Sequence, residues 1–506
     1  MRIDNALHNV CSTLIVYVVK TVLQFAVRMI FVQTLAIEYL GINGLFSNIL
    51  DVLCLSELGI GPAIIYSLYR PLSIHDIEAV KSLMRLFKKT YRIIGVIILV
   101  AGIAVTPWLD FFIKERPSIP HLEWIYLLFV LDTGISYFYS YKRNLLLADQ
   151  KQFVSNFYQG IFQIGLGLAQ IMFLLLTHSY WSFIILKVLA TFSENFMVAR
   201  KTDKLYPLLY ESNVQPLVGE VKKTIVKNVK ALVLHKVGGI AVFSTSNIII
   251  SKFVGLTAVG LYSNYYLIIN SIQGISGQIF SALTASVGNL VSLETAEKKV
   301  DIFKKLNFLT AWLAFYICIG LYVMLNPLID LWLGHHFIFT NDILFIMVLN
   351  FYITFMRKPV QTFKDALGLF WNDRYKPLAE TIINLTSGII LVQYLGIVGA
   401  LLAMTISSVL APCWVEPYVV MRYGIKYPLQ KYFAWYGIFG GITLIVGCSI
   451  QYAYNVLFQQ TTLFSFIIGI ILCTLANIVW IAIFYRTAEF KYFVILVKER
   501  FFNYYH

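Results

Sequence analysis

The chain has 506 residues, of which 59% are hydrophobic and only 13% are charged, and its net charge is +14. Soluble globular proteins contain about 25% charged residues, so the composition excludes an ordinary soluble enzyme with one globular core. A surplus of Lys and Arg also occurs in nucleic-acid-binding proteins. Here, however, these residues lie between long apolar stretches, which indicates a lipid bilayer rather than a nucleic acid as the partner.

Apolar stretches of about 20 residues, the length that crosses a bilayer, recur from Ser12 to the vicinity of Tyr485. They predict an all-α polytopic membrane protein with about 14 transmembrane helices. The first stretch is too long and too charged to be a cleaved signal peptide, so it is predicted to be helix 1. The predicted helices lie near residues 12–35, 42–66, 93–113, 122–141, 153–176, 180–199, 231–251, 258–290, 306–328, 342–356, 377–394, 397–420, 432–454 and 463–485.

The basic residues are distributed unevenly between the two sets of loops on this map. The termini and the even-to-odd loops hold 33 of the 40 Lys and Arg residues, whereas the opposite loops hold only Lys114, Arg116 and Lys252. By the positive-inside rule, this asymmetry predicts that both termini lie in the cytoplasm. Two basic segments, 74–91 and 294–305, are predicted to be either amphipathic helices on the inner leaflet or solvated loops.

An internal repeat indicates how the helices are grouped. The segment Gly44–Asn48 (GLFSN) recurs 216 residues later as Gly260–Asn264 (GLYSN), and this offset corresponds to six helices. Such a repeat predicts two pseudo-symmetric six-helix lobes followed by two C-terminal helices. The predicted domains are an N-terminal lobe (1–200), a basic cytoplasmic linker (201–230), a C-terminal lobe (231–421), helices 13 and 14 (422–485) and a cytoplasmic tail (486–506).

Charged residues inside predicted membrane helices are the main functional signal, because each costs about 2.5–3.5 kcal/mol at the bilayer centre. Lys20, Gln24 and Arg28 form a polar stripe on helix 1, and Lys236 lies on helix 7. These cations predict a hydrated cavity that binds an anion. Alternatively, the intramembrane charges only hold the bundle together, for example through pairs between Lys20 and Asp51 or between Lys187 and Glu194.

The first 70 residues resemble a known family. The segments Glu38–Phe46 (EYLGINGLF), Ser56–Gly61 (SELGIG) and Ile65–Tyr69 (IYSLY) are similar to those of capsule, exopolysaccharide and O-antigen (Wzx-type) polysaccharide flippases. These proteins are part of the multidrug, oligosaccharidyl-lipid and polysaccharide exporter superfamily. Weaker similarity continues at 141–150 and 304–308. Fourteen helices are typical of the lipid II flippase branch, in which the two extra helices form a groove for the lipid tail.

The resemblance implies that the chain flips undecaprenyl-pyrophosphate-linked oligosaccharide repeat units across the cytoplasmic membrane of a bacterium by alternating access. Lys20, Arg28 and Lys236 would then bind the pyrophosphate, and Gln24, Asp51 and Glu57 would be polar cavity residues or would bind a coupling H+ or Na+. Membrane lipids, a polysaccharide polymerase and a co-polymerase are the implied partners. No cofactor and no metal are expected.

Two other functions remain open from the sequence. A cation-coupled drug antiporter of the same superfamily would need an acidic, aromatic cavity, which Lys20, Arg28 and Lys236 disfavour. A membrane polysaccharide polymerase would need a large outer loop, and the predicted outer loops are short. The chain has no phosphate-binding loop, zinc-protease or dinucleotide-binding motif, so a transporter is predicted rather than an enzyme.

Overall fold

The computed structural model describes residues 2–54, 60–207 and 244–502, and the regular elements of these ranges are helices. Ten helices in the described ranges are long and apolar enough to cross a membrane. The prediction of an all-α polytopic membrane protein is therefore confirmed. The helices are α1 (Arg2–Thr34), α2 (Ile37–Leu53), α3 (Ile60–Ser73), α4 (Ile77–Val105), α5 (Leu122–Ala148), α6 (Gln152–Thr177), α7 (Tyr180–Leu205), α8 (Leu256–Leu293), α9 (Ala296–Leu333), α10 (Asn341–Met356), α11 (Lys358–Leu367), α12 (Lys376–Leu395), α13 (Ile397–Leu410), α14 (Pro412–Val419), α15 (Leu429–Leu457), α16 (Leu463–Phe484) and α17 (Ala488–Phe502).

The chain divides into two compact units, Met1–Ser263 and Asn264–His506, and the division falls within α8. The predicted linker at 201–230 lies mostly outside the described residues, since only 201–207 of it are described. The predicted limits of the lobes therefore stay predictions.

In the first unit, aromatic side chains form much of the core between α1, α2, α5 and α7. Phe31 of α1 meets Phe183 of α7 edge to face at 5.0 Å between ring centroids, and Phe46 of α2 meets Tyr126 of α5 in the same way at 5.1 Å. Edge-to-face pairs of this kind stabilise a core by about 0.5–1.5 kcal/mol beyond the burial of their area. They fix α1 and α2 against α5 and α7.

Glycines allow α2 to approach the start of α8 closely. A Cβ atom at Gly41 would lie 2.2 Å from the backbone oxygen of Leu256, and one at Gly260 would lie 2.7 Å from the backbone oxygen of Ile37. No side chain fits at either position. The two repeat segments, 44–48 and 260–264, therefore lie on two helices, α2 and α8, whose backbones are in contact. Such contacts are common where membrane helices pack through small residues.

In the second unit, α9 packs against α10, α15 and α16. Phe308 of α9 lies 5.6 Å from Phe484 and 5.9 Å from Trp480 of α16, measured between ring centroids. The indole Nε1 of Trp312 donates a 2.9 Å hydrogen bond to Asn477 Oδ1 of α16. The predicted helices 13 and 14 therefore correspond to α15 and α16, and both are attached to α9.

Two basic segments differ from both sequence interpretations. Residues 77–91 are neither a separate surface helix nor a loop, because α4 runs without a break from Ile77 to Val105 and buries Leu83, Phe87 and Tyr91. Residues 296–305 likewise form the first turns of α9. In both segments, apolar residues between the basic ones allow the membrane helix to continue, and packing buries one face of the added turns. Hydropathy averaged along the chain does not detect a helix with one buried face.

Candidate functional site

The polar stripe predicted on helix 1 lies on α1. Lys20 and Arg28 are half-buried, and Gln24 between them is exposed. The Arg28 guanidinium donates a 2.8 Å hydrogen bond through Nη1 to Ser263 Oγ, in the second repeat segment. Within the described residues, Lys20 has no carboxylate within 4 Å, so the pair with Asp51 considered in the sequence does not form.

The other predicted site residues divide into two groups. Asp51 is exposed on α2 and interacts electrostatically with Lys187. Glu57 and Lys236 lie outside the described residues. The assignment of Lys20, Arg28 and Lys236 as ligands for a pyrophosphate stays a prediction.

Lys187 of α7 is the centre of a group of charges inside the first unit. Its Nζ lies 3.4 Å from Asp132 Oδ2 of α5 and 4.4 Å from the centroid of the Phe129 ring. The second carboxylate oxygen of Asp132 is buried and has no hydrogen-bond partner among the described residues. Together with Asp51, the group holds two carboxylates and one ammonium, so it carries a formal charge of −1.

Glu194 does not pair with Lys187 on its own helix, so this alternative from the sequence is wrong. Its Oε1 instead accepts a 2.7 Å hydrogen bond from Arg143 Nη2 of α5. Residues 187 and 194 are seven positions apart on α7, which separates them by about 10 Å along the helix axis. Arg143 lies on the facing helix α5 and is close enough to bond. Nine residues further along α7, Asp203 Oδ2 accepts a 2.6 Å hydrogen bond from Lys142 Nζ of α5.

Asp149 and Tyr206 extend this contact between α5 and α7 at the same end of the two helices. The Tyr206 hydroxyl donates a 2.5 Å hydrogen bond to Asp149 Oδ2. Burial, followed by this bond and the charge of Asp149, raises the pKa of Tyr206. The segments 141–143 and 148–150, which resemble the flippase family, thus contribute the residues that bind α5 to α7.

A second ionic network, absent from the sequence interpretation, lies within the second unit. Glu416 of α14 is 1% exposed and accepts hydrogen bonds from Arg357 Nε and Nη2, both at 3.0 Å. Lys376 Nζ donates a 2.6 Å hydrogen bond to Glu416 Oε1. Lys364 Nζ lies 3.5 Å from the same oxygen and donates a 2.9 Å hydrogen bond to Asp373 Oδ2. On the predicted helix map, these three cations lie in the loop between residues 356 and 377. The signal that could have revealed the network is Glu416 itself, a lone acidic residue in an apolar run.

An apolar cavity of about 260 Å³ lies between α9, α10 and α15. Ile319, Val348 and Leu444 are among its lining residues, and Gly440 and Gly447 leave space along α15. Leu444 is 49% exposed, so the cavity reaches the surface of the unit there. Such a cavity has the shape and chemistry to hold a hydrocarbon chain.

The described helices define a fold known from membrane transport proteins. Neither a protein-family model nor a curated protein sequence matches the chain significantly, but several solved structures share its fold. An inward closed conformation of the lipid II flippase MurJ superposes with a TM-score of 0.62 at 12% identity, covering 93% of this chain and 99% of that protein.

MATE transporters share the fold as well. An inward-facing multidrug resistance MATE family transporter of the MOP superfamily superposes with a TM-score of 0.60 at 15% identity, covering 81% of this chain and 96% of that protein. A mutant of the Vibrio cholerae MATE transporter VcmN gives a TM-score of 0.57 at 14% identity, covering 85% of this chain and 99% of that protein. The chain is thus a multi-pass membrane protein with the fold common to MATE transporters and MurJ.

Proposed function

We propose that this protein is a flippase that moves undecaprenyl-pyrophosphate-linked oligosaccharide repeat units from the inner to the outer leaflet of a bacterial cytoplasmic membrane for polysaccharide assembly. Both termini would lie in the cytoplasm, and a polymerase and co-polymerase would use the product. The observation that carries the proposal is the apolar cavity between α9, α10 and α15. A transporter of a soluble drug has no need for a hydrocarbon site on the outside of a lobe.

The two C-terminal membrane helices support the same substrate class. The MurJ comparison covers 93% of this chain and the MATE comparison 81%, a difference of about 60 of the 506 residues. That difference is as long as α15 and α16 together with their connection. Since α15 lines the apolar cavity, these helices would accommodate the polyprenyl tail beside the transport path.

The cations of α1 would bind the headgroup. Lys20 and Arg28 lie two turns apart on one helix, and the hydrogen bond from Arg28 Nη1 to Ser263 Oγ brings the guanidinium to the second repeat segment. A pyrophosphate accepts such charge-assisted bonds strongly. Lys236 would complete the set, and the exposed Gln24 would hydrogen bond to the sugars.

The charge group around Lys187 would bind the coupling ion. Asp132 and Asp51 carry two negative charges against the one positive charge of Lys187, so the group has one negative charge in excess. Asp132 also has a buried oxygen without a partner among the described residues. Intramembrane ionisable groups of this kind commonly bind transported ions. A proton or Na+ would neutralise the group, and Glu57, six residues after Asp51 in the sequence, would be a further carboxylate.

Transport of the tail is tested with a variant that fills the apolar cavity. Gly447→Leu should lower the flipping of a fluorescent polyprenyl-pyrophosphate oligosaccharide in proteoliposomes by at least tenfold, because its side chain would occupy the cavity beside Ile319, 3.6 Å from the Gly447 Cβ position. Ile445→Trp, on an exposed position of the same helix, is the matched control and should flip normally. Equal rates for the Gly447→Leu protein and the wild type would contradict the proposal.

A drug antiporter is the second candidate, and the acidic group formed by Asp51 and Asp132 favours it. It predicts ion-driven efflux of a cationic dye from proteoliposomes, abolished by Asp132→Asn. The flippase hypothesis predicts that the dye is not exported. It also predicts that only lipids whose headgroup carries a pyrophosphate are flipped. Deleting the gene also separates the two, since a lipid-linked intermediate should accumulate on the cytoplasmic leaflet only if the protein is the flippase.

A further inference from the structure

A second cavity, of about 450 Å³, lies at one end of the second unit, between α9, α15, α16 and α17. Its charged lining residues are Lys304, Lys431 and Glu489, and its walls include Phe308, Trp435 and Phe484. The apolar cavity described above shares none of these residues. The lining of the second cavity therefore combines charged side chains with aromatic rings, whereas the apolar cavity has no charged lining residue in the described part of the chain.

Two buried polar groups border this cavity. Asn307 Oδ1 and the Tyr432 hydroxyl are buried, and neither has a hydrogen-bond partner among the described residues. An unsatisfied buried polar group costs about 1–3 kcal/mol. Asn307 and Tyr432 both line the cavity, so a hydroxyl group of a ligand that reaches these two atoms would remove that cost.

The helices that surround the cavity place it at the membrane surface. Lys431 is in the first turn of α15, and Phe484 is the last residue of α16. α9 has 38 residues and is about 57 Å long, so it extends well beyond a hydrocarbon core of about 30 Å. Lys304, its ninth residue, lies in the extension, where lipid headgroups are found.

The C-terminal helix α17 forms part of the wall. Phe490 of α17 lies 5.6 Å from Trp312 of α9 between ring centroids, and Lys305 Nζ lies 3.9 Å from the centroid of the Tyr492 ring. Glu489 enters the lining from the same helix. A ligand in the cavity would contact both a membrane helix and the C-terminal helix.

We infer that this cavity binds the headgroup of an anionic glycerophospholipid, with its phosphodiester between Lys304 and Lys431 and its glycerol hydroxyls at Asn307, Tyr432 and Glu489. The charge of the lining is +1, so one monoanionic phosphodiester neutralises it, whereas a pyrophosphate would leave an excess of negative charge. The aromatic walls around Phe308 and Phe484 would contact the first acyl carbons. The inference is independent of the transported substrate.

The test measures lipid binding to the purified full-length protein by native mass spectrometry, with short-chain phosphatidylglycerol as the probe. The double variant Lys304→Ala, Lys431→Ala should bind it at least tenfold more weakly than the wild type. The matched control, Lys298→Ala with Lys299→Ala, removes the same charge from α9 outside the cavity lining and should bind normally. Equal losses in the two variants would overturn the inference, because they would indicate only a surface charge effect.

Three further arms distinguish the ligand. Phosphatidylethanolamine and phosphatidylcholine should bind at least tenfold more weakly than phosphatidylglycerol, and inorganic phosphate should not displace it. Equal binding of the zwitterionic lipids, or displacement by phosphate at millimolar concentration, would contradict a site for an anionic lipid headgroup. Without lipid, Tyr432→Phe should melt at or above the wild-type midpoint, because it removes an unsatisfied buried hydroxyl. It should gain less from added phosphatidylglycerol, since the stabilisation by a ligand grows with the logarithm of its affinity. An equal gain would exclude the Tyr432 hydroxyl from the site.

Discussion

Glu416 offers the sharpest test of how charge is accommodated in the second unit. Its carboxylate is 1% exposed and contacts Arg357 and Lys376, whose side chains are each 9% exposed. Glu416→Gln keeps the shape of the side chain but removes its charge, which leaves both cations buried without that carboxylate. Breaking a buried ion pair from one side costs about 3–5 kcal/mol, whereas whole proteins are stable by only about 5–15 kcal/mol.

The loss should appear as a lower melting midpoint of the detergent-purified protein, followed by intrinsic fluorescence. For a unit of this size, about 3–5 kcal/mol corresponds to a fall of about 10 °C. The control is Arg116→Gln, whose exposed pairs with Glu123 and Asp110 should contribute about 0–1 kcal/mol. Arg357→Gln added to Glu416→Gln should recover part of the loss, because fewer uncompensated charges remain buried. A Glu416→Gln protein that melts within about 2 °C of the wild type would refute the reasoning.

Three further results are expected. Gly41→Ala should destabilise the first unit by about 1–3 kcal/mol through overpacking, measured as a lower melting midpoint, while Gly165→Ala, in open space on α6, should be neutral or stabilising; the opposite order would exclude the close backbone contact. Arg143→Met should cost about 1–3 kcal/mol, and adding Glu194→Leu should restore stability if the two residues act as a pair. Lys20→Ala should leave the amount of inserted protein unchanged and abolish polymer export, measured as surface polysaccharide per inserted copy, and normal export would remove Lys20 from the headgroup site.

The helical fold could be predicted from the sequence because the requirement for it is local. A bilayer demands about 20 apolar residues in a row with their backbone groups bonded within the segment, and that signal lies entirely along the chain. The stripe of Lys20, Gln24 and Arg28 was visible for the same reason, since helical spacing alone puts these residues on one side of α1. The repeat segments at 44–48 and 260–264 were also readable from identity and offset.

The tertiary structure alone decided which charges meet. Lys187 interacts with Asp132 and Glu194 with Arg143, and each partner lies on α5, more than 50 positions away in the sequence. Hydropathy and periodicity describe one helix at a time, so they cannot tell which faces of two helices come together. The same limit hid the network around Glu416, whose energy depends on three cations brought to one buried carboxylate by separate segments of the chain.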